Sequence, residues 1–410
     1  MTLEKNSWKR TFAIIWTGQF MSLISSALVN FAMLIWLSLE TGSAEVLAYA
    51  AIAGFLPQSI IGLFAGVYVD RWDRKKTMML ADGFIALCTI VIAYLFYTGE
   101  VELWYIYLLL GFRAIGSAFH MPAMQASIPL LAPENQLLRI AGVNQALQSV
   151  SNIAGPALAA LAITLLDIEY VLLLDVIGAV FAITSLCFVH IPNPKRNPTE
   201  KQGVSQILHE LWEAVQSVYA KKGLPLIFLF SIICTFFIMP VAVLFPLFTL
   251  QHFQGSTYQM SLVEVVWGAG MLAGGALLSI LKIRANKVLI INWTYVVLGI
   301  CFIASGLLPY WAFILFVLLT AVGGICTSVY NANFTTILQE NINPALLGRV
   351  FSVFFSVSLL PAIIGLLGTG YIADYIGISR AFVIMGGLIL LLGILSFCFP
   401  KMIQVGKGKK

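Results

Sequence analysis

The stretch GVYVDRWDRKK, residues 66–76, separates two long apolar runs and contains two acids and four bases. Only 10% of the 410 residues are charged, so this cluster is an exception within its own sequence. An arginine or aspartate at the centre of a lipid bilayer costs about 2.5–3.5 kcal/mol on the insertion scale. The stretch, called here the charged turn, is therefore expected to lie outside the membrane between two spans.

The composition of the whole chain is typical of an integral membrane protein. Hydrophobic residues make up 60% and aromatic residues 12% of the sequence, and the mean hydropathy is +0.95. One soluble core cannot bury that much apolar surface, so most of it must face membrane lipid. The first ten residues, MTLEKNSWKR, lack a signal-peptide cleavage pattern, and we expect the first span to be retained.

Several other classes of function find no support in the sequence. The six cysteines lie far apart inside apolar runs, so we predict packing roles for them, with no disulfide, no metal and no cofactor. There is no Walker loop, nucleophile elbow or HExxH helix. The basic residues suit anionic lipid better than nucleic acid. The chain is not expected to be an enzyme.

Twelve apolar runs are near the roughly 20 residues that cross about 30 Å of hydrocarbon. None shows the alternation of a barrel strand, so all are predicted to be helices. The fold class is therefore an all-α integral membrane protein with twelve transmembrane helices. The predicted spans are residues 11–38, 46–69, 77–97, 103–125, 137–165, 170–191, 224–251, 258–281, 288–308, 311–335, 347–372 and 381–399.

The distribution of lysine and arginine predicts the orientation. These residues are concentrated in the termini and in the connections that follow even-numbered spans. Arg380 is the one base in a connection on the other side, where acids such as Glu40, Glu100 and Asp167 occur instead. The positive-inside rule then places both termini in the cytoplasm, in agreement with an even number of spans.

A shift of 210 residues aligns the two halves weakly, pairing residues 121–140 with residues 331–350 and Arg74 with Arg284. Two six-helix pseudo-repeats are typical of transporters whose site lies between the repeats. The linker between them carries apolar residues at helical spacing. This spacing predicts an amphipathic helix on the inner membrane face, with a regulatory docking site as the alternative. The predicted domains are an N-terminal half at residues 1–191, the cytoplasmic linker at 192–223, a C-terminal half at 224–400 and a basic tail at 401–410.

The charged turn resembles the signature loop of the major facilitator superfamily, which implies the twelve-helix fold of that family. Asp73 occupies a position where the family pattern has glycine, so a tight glycine turn is in question. The resemblance also implies a conformational latch, in which Asp70 faces the positive amino end of the eleventh predicted span, residues 347–372. An orientation anchor without a latch is the alternative. The residues assigned to the latch are Gly66, Asp70, Arg71, Arg74 and Lys75.

Small residues in the fifth span resemble the antiporter motif of exporters in the same superfamily. Ser151, Ala159 and Ala160 replace glycines of that motif, although the spacing is kept. The resemblance implies close helix packing and a bend at Pro156, and generic small-residue packing is the alternative. The assigned positions are Gly142, Ser151, Gly155 and Pro156.

Longer segments, FRAIGSAFHMPAMQASIPLLAPENQLLRIAGVNQALQS and LLGRVFS together with the charged turn, resemble the macrolide-efflux group of bacterial drug:proton antiporters. The enterobactin-type exporters are a more distant resemblance. This implies a protein of the bacterial cytoplasmic membrane that exports an amphipathic small molecule, with macrolides as one candidate, driven by protons and functional as a monomer. The alternatives are a siderophore or lipid-like metabolite exporter, a nutrient importer and a solute sensor without flux.

Charged residues inside the spans are the candidates for proton coupling. Arg113 follows Trp104 by nine residues, or about 14 Å along a helix, close to mid-membrane. It matches an arginine of the superfamily's proton antiporters, which implies proton coupling, and a structural ion pair is the alternative. Glu264 is the first candidate for the acid that binds the proton, or else an outer-gate residue. Asp82 is expected to pair with the bases of the charged turn, and Asp175 to lie near the outer face.

The same resemblance puts spans one, four, seven and ten around a substrate cavity. Aromatic, methionine and amide side chains there suit a large amphipathic compound, although helix packing is the alternative role of each. His120 is of a type that titrates near neutral pH, but a lone histidine beside a Met-Pro pair is more typical of packing or a helix bend. The substrate candidates are Gln19, Asn30, Phe31, Phe112, Met124, Phe237, Tyr330 and Asn331.

Overall fold

The computed structural model of the chain describes residues 7–131, 137–191, 204–280 and 285–406. Every regular element within these ranges is a helix. They are α1 (Ser7–Thr41), α2 (Ala44–Arg71), α3 (Arg74–Thr98), α4 (Leu103–Leu131), α5 (Leu137–Leu165), α6 (Ile168–Cys187), α7 (Val204–Tyr219), α8 (Leu224–Val243), α9 (Phe245–Phe253), α10 (Thr257–Ile280), α11 (Lys287–Leu307), α12 (Phe313–Asn341), α13 (Pro344–Ile376), α14 (Ile378–Ser396) and α15 (Pro400–Val405).

Each of the twelve predicted spans coincides with helical structure. Helices α1–α6 supply the first six spans and α10–α14 the last five. The seventh span is divided at Leu244 into α8 and α9, where Pro240 and Pro246 remove backbone donors. In the described ranges, eleven helices are long and apolar enough to cross a membrane. Helix α4 is not among the eleven but is 29 residues long, with Arg113 and His120 inside it.

Only Trp72 and Asp73 connect α2 to α3, so the helices extend further into the charged turn than the predicted spans did. Asp73 is the N-cap of α3, with a φ of −65°. Its side chain accepts a hydrogen bond from the backbone N–H of Lys76 at 3.0 Å. Because a negative φ suits any residue and aspartate is a favoured N-cap, the missing glycine is no obstacle to this turn.

The chain divides into two compact units. The first contains Met1–Glu40 and Tyr49–Asn197, and the second contains Thr41–Ala48 and Pro198–Lys410. Helix α2 therefore begins in the second unit and continues in the first. The domain boundaries drawn from the sequence stay a prediction.

In the first unit, apolar side chains from five helices form a core near the start of α1. Trp16, Val69, Met78, Met124 and Leu186 come from α1, α2, α3, α4 and α6, and each is at most 7% exposed. Burial of such side chains contributes about 1.5–3 kcal/mol each relative to exposure to water. This core holds together the helices that carry the charged residues described below.

In the second unit, an aromatic cluster of Phe248, Phe253, Phe316 and Phe382 joins α9, α12 and α14. Phe248 stacks on Phe382 with ring centroids 4.0 Å apart, and Phe253 stacks on Phe316 at 5.1 Å. Such aromatic pairs contribute about 0.5–1.5 kcal/mol beyond the burial of their area. The aromatic cluster therefore ties the short helix α9 to its neighbours.

Helix α7 lies in the segment predicted to link the two halves and packs against α13. Ala214 and Val218 are buried, and Glu213 pairs with Arg349 at 3.4 Å. Trp212, by contrast, is 59% exposed. One face of the helix thus contacts protein while an aromatic side chain points away, and its place on the membrane stays a prediction.

Candidate functional site

Arg113 is buried inside the first unit at 5% exposure. Its Nη1 forms an ion pair with Asp175 Oδ2 and donates to Thr89 Oγ1. Its Nη2 donates to Asn30 Oδ1 at 3.3 Å. The arginine comes from α4, and its partners come from α6, α3 and α1. The arginine predicted at mid-membrane therefore has the charged partner that such a position requires.

The carboxylate of Asp175 is satisfied on both oxygens and is 2% exposed. Ser26 Oγ donates to Oδ1 at 2.6 Å, and Thr89 Oγ1 lies 3.0 Å from Oδ2, beside the arginine. Arg113 is always protonated, so its charge compensates an ionised Asp175. Removing one member of such a pair leaves a buried charge without compensation, which costs several kcal/mol. The two side chains are therefore fixed to each other.

Asp82 on α3 and His120 on α4 form a second buried pair, at 3% and 7% exposure. His120 Nε2 lies 3.3 Å from Asp82 Oδ1, which is an ion-pair distance. Gln19 Nε2 donates to Asp82 Oδ2 at 3.4 Å. Among the described residues, Gln19 Oε1 and His120 Nε2 have no partner with hydrogen-bond geometry. One polar atom of His120 and one of Gln19 therefore lie near the buried carboxylate of Asp82 without an ideal hydrogen bond.

A cavity of about 80 Å³, called here the polar cavity, touches both pairs. Its volume exceeds the roughly 10–15 Å³ that one water molecule needs. Because buried polar atoms require hydrogen-bond partners, water inside the cavity would satisfy the unused atoms that face it. Its polar lining comprises Gln19, Ser22, Ser26, Asp82, Ser117, His120 and Asp175.

Helical spacing explains how three helices serve both pairs at once. Seven residues are two turns of an α-helix, or about 10.5 Å, and return a side chain to nearly the same face. Each of α1, α3 and α4 carries two polar residues at this spacing, one in each cluster. The two pairs are therefore separated by about two helical turns along these helices. The positions are Gln19 and Ser26 on α1, Asp82 and Thr89 on α3, and Arg113 and His120 on α4.

The predicted pairing of Asp82 with the bases of the charged turn is wrong. Asp82 pairs with His120 instead, and two of the bases, Arg74 and Lys75, donate to backbone carbonyls. Arg74 Nη1 donates to a carbonyl of α4 at 2.6 Å, and Lys75 Nζ donates to a carbonyl just beyond α6 at 2.8 Å. His120, for which the sequence favoured a packing role, is therefore the buried partner of an acid.

The partners of Arg113 were missed from the sequence. Asp175 was expected near the outer face with no assigned partner, yet it forms the ion pair with Arg113. Ser26 and Thr89, which complete the cluster, were not singled out. A signal was available, because each of these hydroxyls lies two turns from another polar residue on its own helix.

Glu264 lies in α10 of the second unit, seven residues after Thr257 at the start of that helix. Its side chain is half-buried. Within the described ranges its carboxylate has neither a hydrogen bond nor an ion pair. Its role as the acid that binds the proton stays a prediction, and among the described residues it differs from Asp82 and Asp175 in having no polar partner.

The predicted latch falls largely outside the described side chains. Gly66, Asp70 and Arg71 lie in the last turns of α2, but their side-chain surroundings lie outside the described part of the chain. Arg74 and Lys75 are described, and both hold backbone carbonyls within the first unit. The latch at Asp70 stays a prediction.

An aspartate that the sequence analysis missed holds the start of α2 within the second unit. Asp374, near the end of α13, accepts hydrogen bonds from the backbone N–H groups of Ala44 at 2.8 Å and Glu45 at 3.0 Å. A carboxylate in this place satisfies free N–H groups and interacts favourably with the helix dipole. A signal existed, because the Gly-x3-Asp spacing of GVYVD at residues 66–70 recurs as GYIAD at residues 370–374.

Of the residues assigned to the antiporter motif, Gly155 is packed against α1. A Cβ atom added to Gly155 would lie 2.7 Å from Ala27 Cβ, so the close approach of α5 to α1 requires glycine there. Ser151 is 1% exposed and Pro156 lies inside α5. The surroundings of Gly142 lie outside the described part. Close packing is thus observed, while a role in antiport stays a prediction.

The substrate candidates differ in how far they are exposed. The buried members lie inside their own unit, where Gln19, for example, donates a hydrogen bond to Asp82. The side chains of the exposed members are accessible at the surface of their own unit. Contact with substrate stays a prediction for all of them. The exposed ones are Asn30, Phe112 and Asn331, the half-buried ones are Phe237 and Tyr330, and the buried ones are Gln19, Phe31 and Met124.

Comparison with known proteins finds relatives along the whole chain. The sequence model of the Major Facilitator Superfamily matches residues 15–357. Macrolide efflux protein A of Streptococcus pyogenes is 38% identical over 393 residues, covering 96% of this chain and 96% of the relative. The Enterococcus faecalis protein of that name is 38% identical over 325 residues, covering 79% of this chain and 100% of the relative.

Solved structures of transporters share the fold. A bacterial homologue of the human lysosomal transporter Spinster, in an inward-facing and unoccupied conformation, superposes with a TM-score of 0.72 at 13% identity. The match covers 99% of this chain and 98% of that one. At this low identity the likeness concerns the fold alone, and it confirms the predicted twelve-helix architecture.

Proposed function

Because the chain belongs to the major facilitator superfamily, we propose that it exports amphipathic drugs, macrolides among them, across the bacterial cytoplasmic membrane in exchange for protons. The observation that carries this proposal is the buried Arg113–Asp175 pair inside an apolar helical unit. Ionisable residues inside a membrane are costly and typically mark ion or proton pathways. The 38% identity to Macrolide efflux protein A supports the drug and the direction.

Arg113 has a positioning role in this proposal rather than carrying the proton. A guanidinium group stays protonated at physiological pH, so the transported proton must bind elsewhere. The proposed acceptors are the acids Asp82, Asp175 and Glu264. Asp175 is engaged by Arg113 and Ser26, whereas Asp82 and Glu264 have no arginine or lysine partner among the described residues.

Asn30 connects the buried charges to the proposed drug surface, which is formed by the exposed substrate candidates such as Asn30 and Phe112. It is exposed, and its Oδ1 accepts a hydrogen bond from Arg113 Nη2 at 3.3 Å. Phe112, the residue before Arg113 on α4, is 40% exposed and offers apolar surface. A drug that binds Phe112 and competes for Asn30 would disturb the partner shell of Arg113. Drug binding and proton binding would be linked through this one arginine.

The remaining features complete an alternating-access cycle in the proposal. Both termini and the charged turn face the cytoplasm, where lysine and arginine meet anionic lipid. The latch at Asp70 would stabilise one access state by contact with the amino end of α13. The observed capping of α2 by Asp374 supports the principle that an aspartate near one helix end can hold another helix. One chain with two six-helix halves forms a complete pathway as a monomer.

The test is macrolide accumulation in a bacterial strain that lacks other efflux pumps and expresses the protein. We expect lower accumulation than in the empty strain, restored accumulation when a protonophore collapses the proton gradient, and loss of efflux in Arg113→Ala. The matched control is Lys287→Gln, which breaks an exposed ion pair with Glu340 and should leave efflux unchanged. Equal accumulation with and without the protein, or efflux that ignores the protonophore, would contradict the proposal.

A further inference from the structure

We propose that Asp82 and His120, at the polar cavity, are the pair that binds the transported proton. The inference rests on the proposed exchange of drug for protons and specifies where the proton resides. It departs from the expectation that Glu264 is the leading acceptor, and it gives His120 a chemical role that its sequence context did not suggest.

Charge neutrality favours a proton on this pair. With Asp82 and Asp175 ionised, Arg113 protonated and His120 neutral, the buried cluster carries one net negative charge. A proton on His120 brings the sum to zero. An unbalanced charge in a medium of low polarity is unfavourable. The four groups therefore form a cluster whose charge is complete when one proton is bound.

The groups around His120 make it the position where that proton binds. Asp82 lies 3.3 Å away on α3, and Asp175, on α6, already has Arg113 as its own counter-ion. The polar groups that helix α1 adds to the cavity are all uncharged. The proton forms an N–H bond at His120, or an O–H bond at Asp82, and leaves to water when that bond breaks. No other chemical bond changes. The uncharged polar groups of α1 are Gln19, Ser22 and Ser26.

The geometry of the polar cavity suits transfer through water. Among the described residues, Gln19 Oε1 is buried without a hydrogen-bond partner, and His120 Nε2 lies 3.3 Å from Asp82 Oδ1 without hydrogen-bond geometry to it. Both residues line the cavity. Water at these atoms would join Asp82 and His120 to Ser26, which already donates to Asp175. Arg113 lies about two turns along α4 from His120. It pairs with Asp175 and also donates a hydrogen bond to the exposed Asn30. This continuous set of polar groups links the proton pair to the drug surface.

The experiment measures protons and drug together in everted membrane vesicles, with a radiolabelled macrolide and an external pH indicator. In the wild-type protein, macrolide uptake into vesicles against its gradient accompanies proton release. We expect Asp82→Asn and His120→Gln to lose at least ten-fold of both uptake against the gradient and drug-dependent proton release. Both variants should still carry macrolide down its gradient, because the helices and the drug surface are unchanged.

Matched controls separate chemistry from folding. Asp167→Asn and His190→Gln change an exposed acid and an exposed histidine of the same unit and should leave both signals at the wild-type level. Asp82→Glu, which keeps an acid, should restore part of the proton release. Macrolide binding to each purified variant reports that it is folded, so a variant that binds drug but releases no proton supports the inference.

Two outcomes overturn the inference, and they differ from failure of the proposed function. If the wild-type protein couples drug to protons and His120→Gln and Asp82→Asn do so equally well, the pair is not the proton site. The same holds if Glu264→Gln abolishes coupling while both of these variants keep it. If the wild-type protein moves macrolide without any proton movement, the proposed proton exchange itself fails, and the inference falls with it.

Discussion

The two units build corresponding helices with different chemistry at corresponding positions. A shift of 210 residues carries α3, α4 and α6 of the first unit onto α11, α12 and α14 of the second. The residues of the buried pairs have no equivalents at the corresponding positions of the second unit, which carry an amide, a phenol, a glycine and a thioether instead. The pairs of positions are Asp82 and Asn292, His120 and Tyr330, Arg113 and Gly323, and Asp175 and Met385.

The second unit shows how the space is filled without charges. A Cβ atom on Gly323 would lie 2.6 Å from the ring of Trp267, so an aromatic side chain occupies the room beside this position. Asn292 is fully buried, and neither polar atom of its side chain has a partner in the described ranges. At the positions that correspond to Asp82 and Arg113, the second unit therefore packs without a charged side chain. The difference indicates that helices of this arrangement can pack without charges at these positions, as expected if the charges of the first unit serve the proposed exchange.

The largest expected effect comes from breaking the buried charge pair of the first unit. Arg113→Met leaves the buried Asp175 without its counter-ion, which should lower the free energy of unfolding by about 3–5 kcal/mol. Unfolding of the detergent-solubilised protein by SDS measures it. The double variant Arg113→Met with Asp175→Met, which removes both charges as in the second unit, should recover most of the stability but not drug–proton exchange. A double variant as unstable as the single one would show that the architecture needs the charges.

A comparable loss of stability is expected in the second unit, without any effect on proton coupling. Phe248→Ala removes the ring that stacks on Phe382 at 4.0 Å, and large-to-small changes of buried phenylalanine cost about 3–5 kcal/mol. The same unfolding measurement applies, together with the number of protons released per macrolide. A changed proton number in the folded variant would mean that the second unit shares the coupling.

A smaller effect is expected at the start of α2. Asp374→Ala removes the carboxylate that caps Ala44 and Glu45, and loss of an N-cap typically costs about 0.5–2 kcal/mol. Asp167→Ala is the matched control, because Asp167 is the N-cap of α6 but makes no side-chain capping bond. Equal changes in unfolding free energy for the two variants would argue against a capping role of Asp374.

The smallest effect is expected at the counterpart of Asp82. Asn292→Leu removes a buried amide without partners in the described ranges, so the free energy of unfolding should fall by less than about 1 kcal/mol, or rise. Drug-dependent proton release should stay at the wild-type level, in contrast to Asp82→Asn. Loss of proton release in Asn292→Leu would place part of the coupling chemistry in the second unit and blur the comparison.

The sequence predicted the spans well because hydrophobic length decides them. Arg113 was recognised from its depth in an apolar run. Asp175 could not be assigned as the partner of Arg113, nor His120 as the partner of Asp82, because spacing within a helix does not say which helix lies opposite. Asp73 was a doubtful residue in the sequence, and its negative φ resolved the doubt. Asp374 was missed, although its Gly-x3-Asp spacing repeats that of Asp70.

The most direct test of the central claim is proton release on drug binding. The purified protein is placed in a weakly buffered detergent solution with a pH indicator, and a macrolide is added to saturation. The account predicts that the wild-type protein releases protons when it binds the drug, whereas Asp82→Asn and His120→Gln bind it and release none. Drug binding without proton release in the wild-type protein, or undiminished release from both variants, would contradict the account.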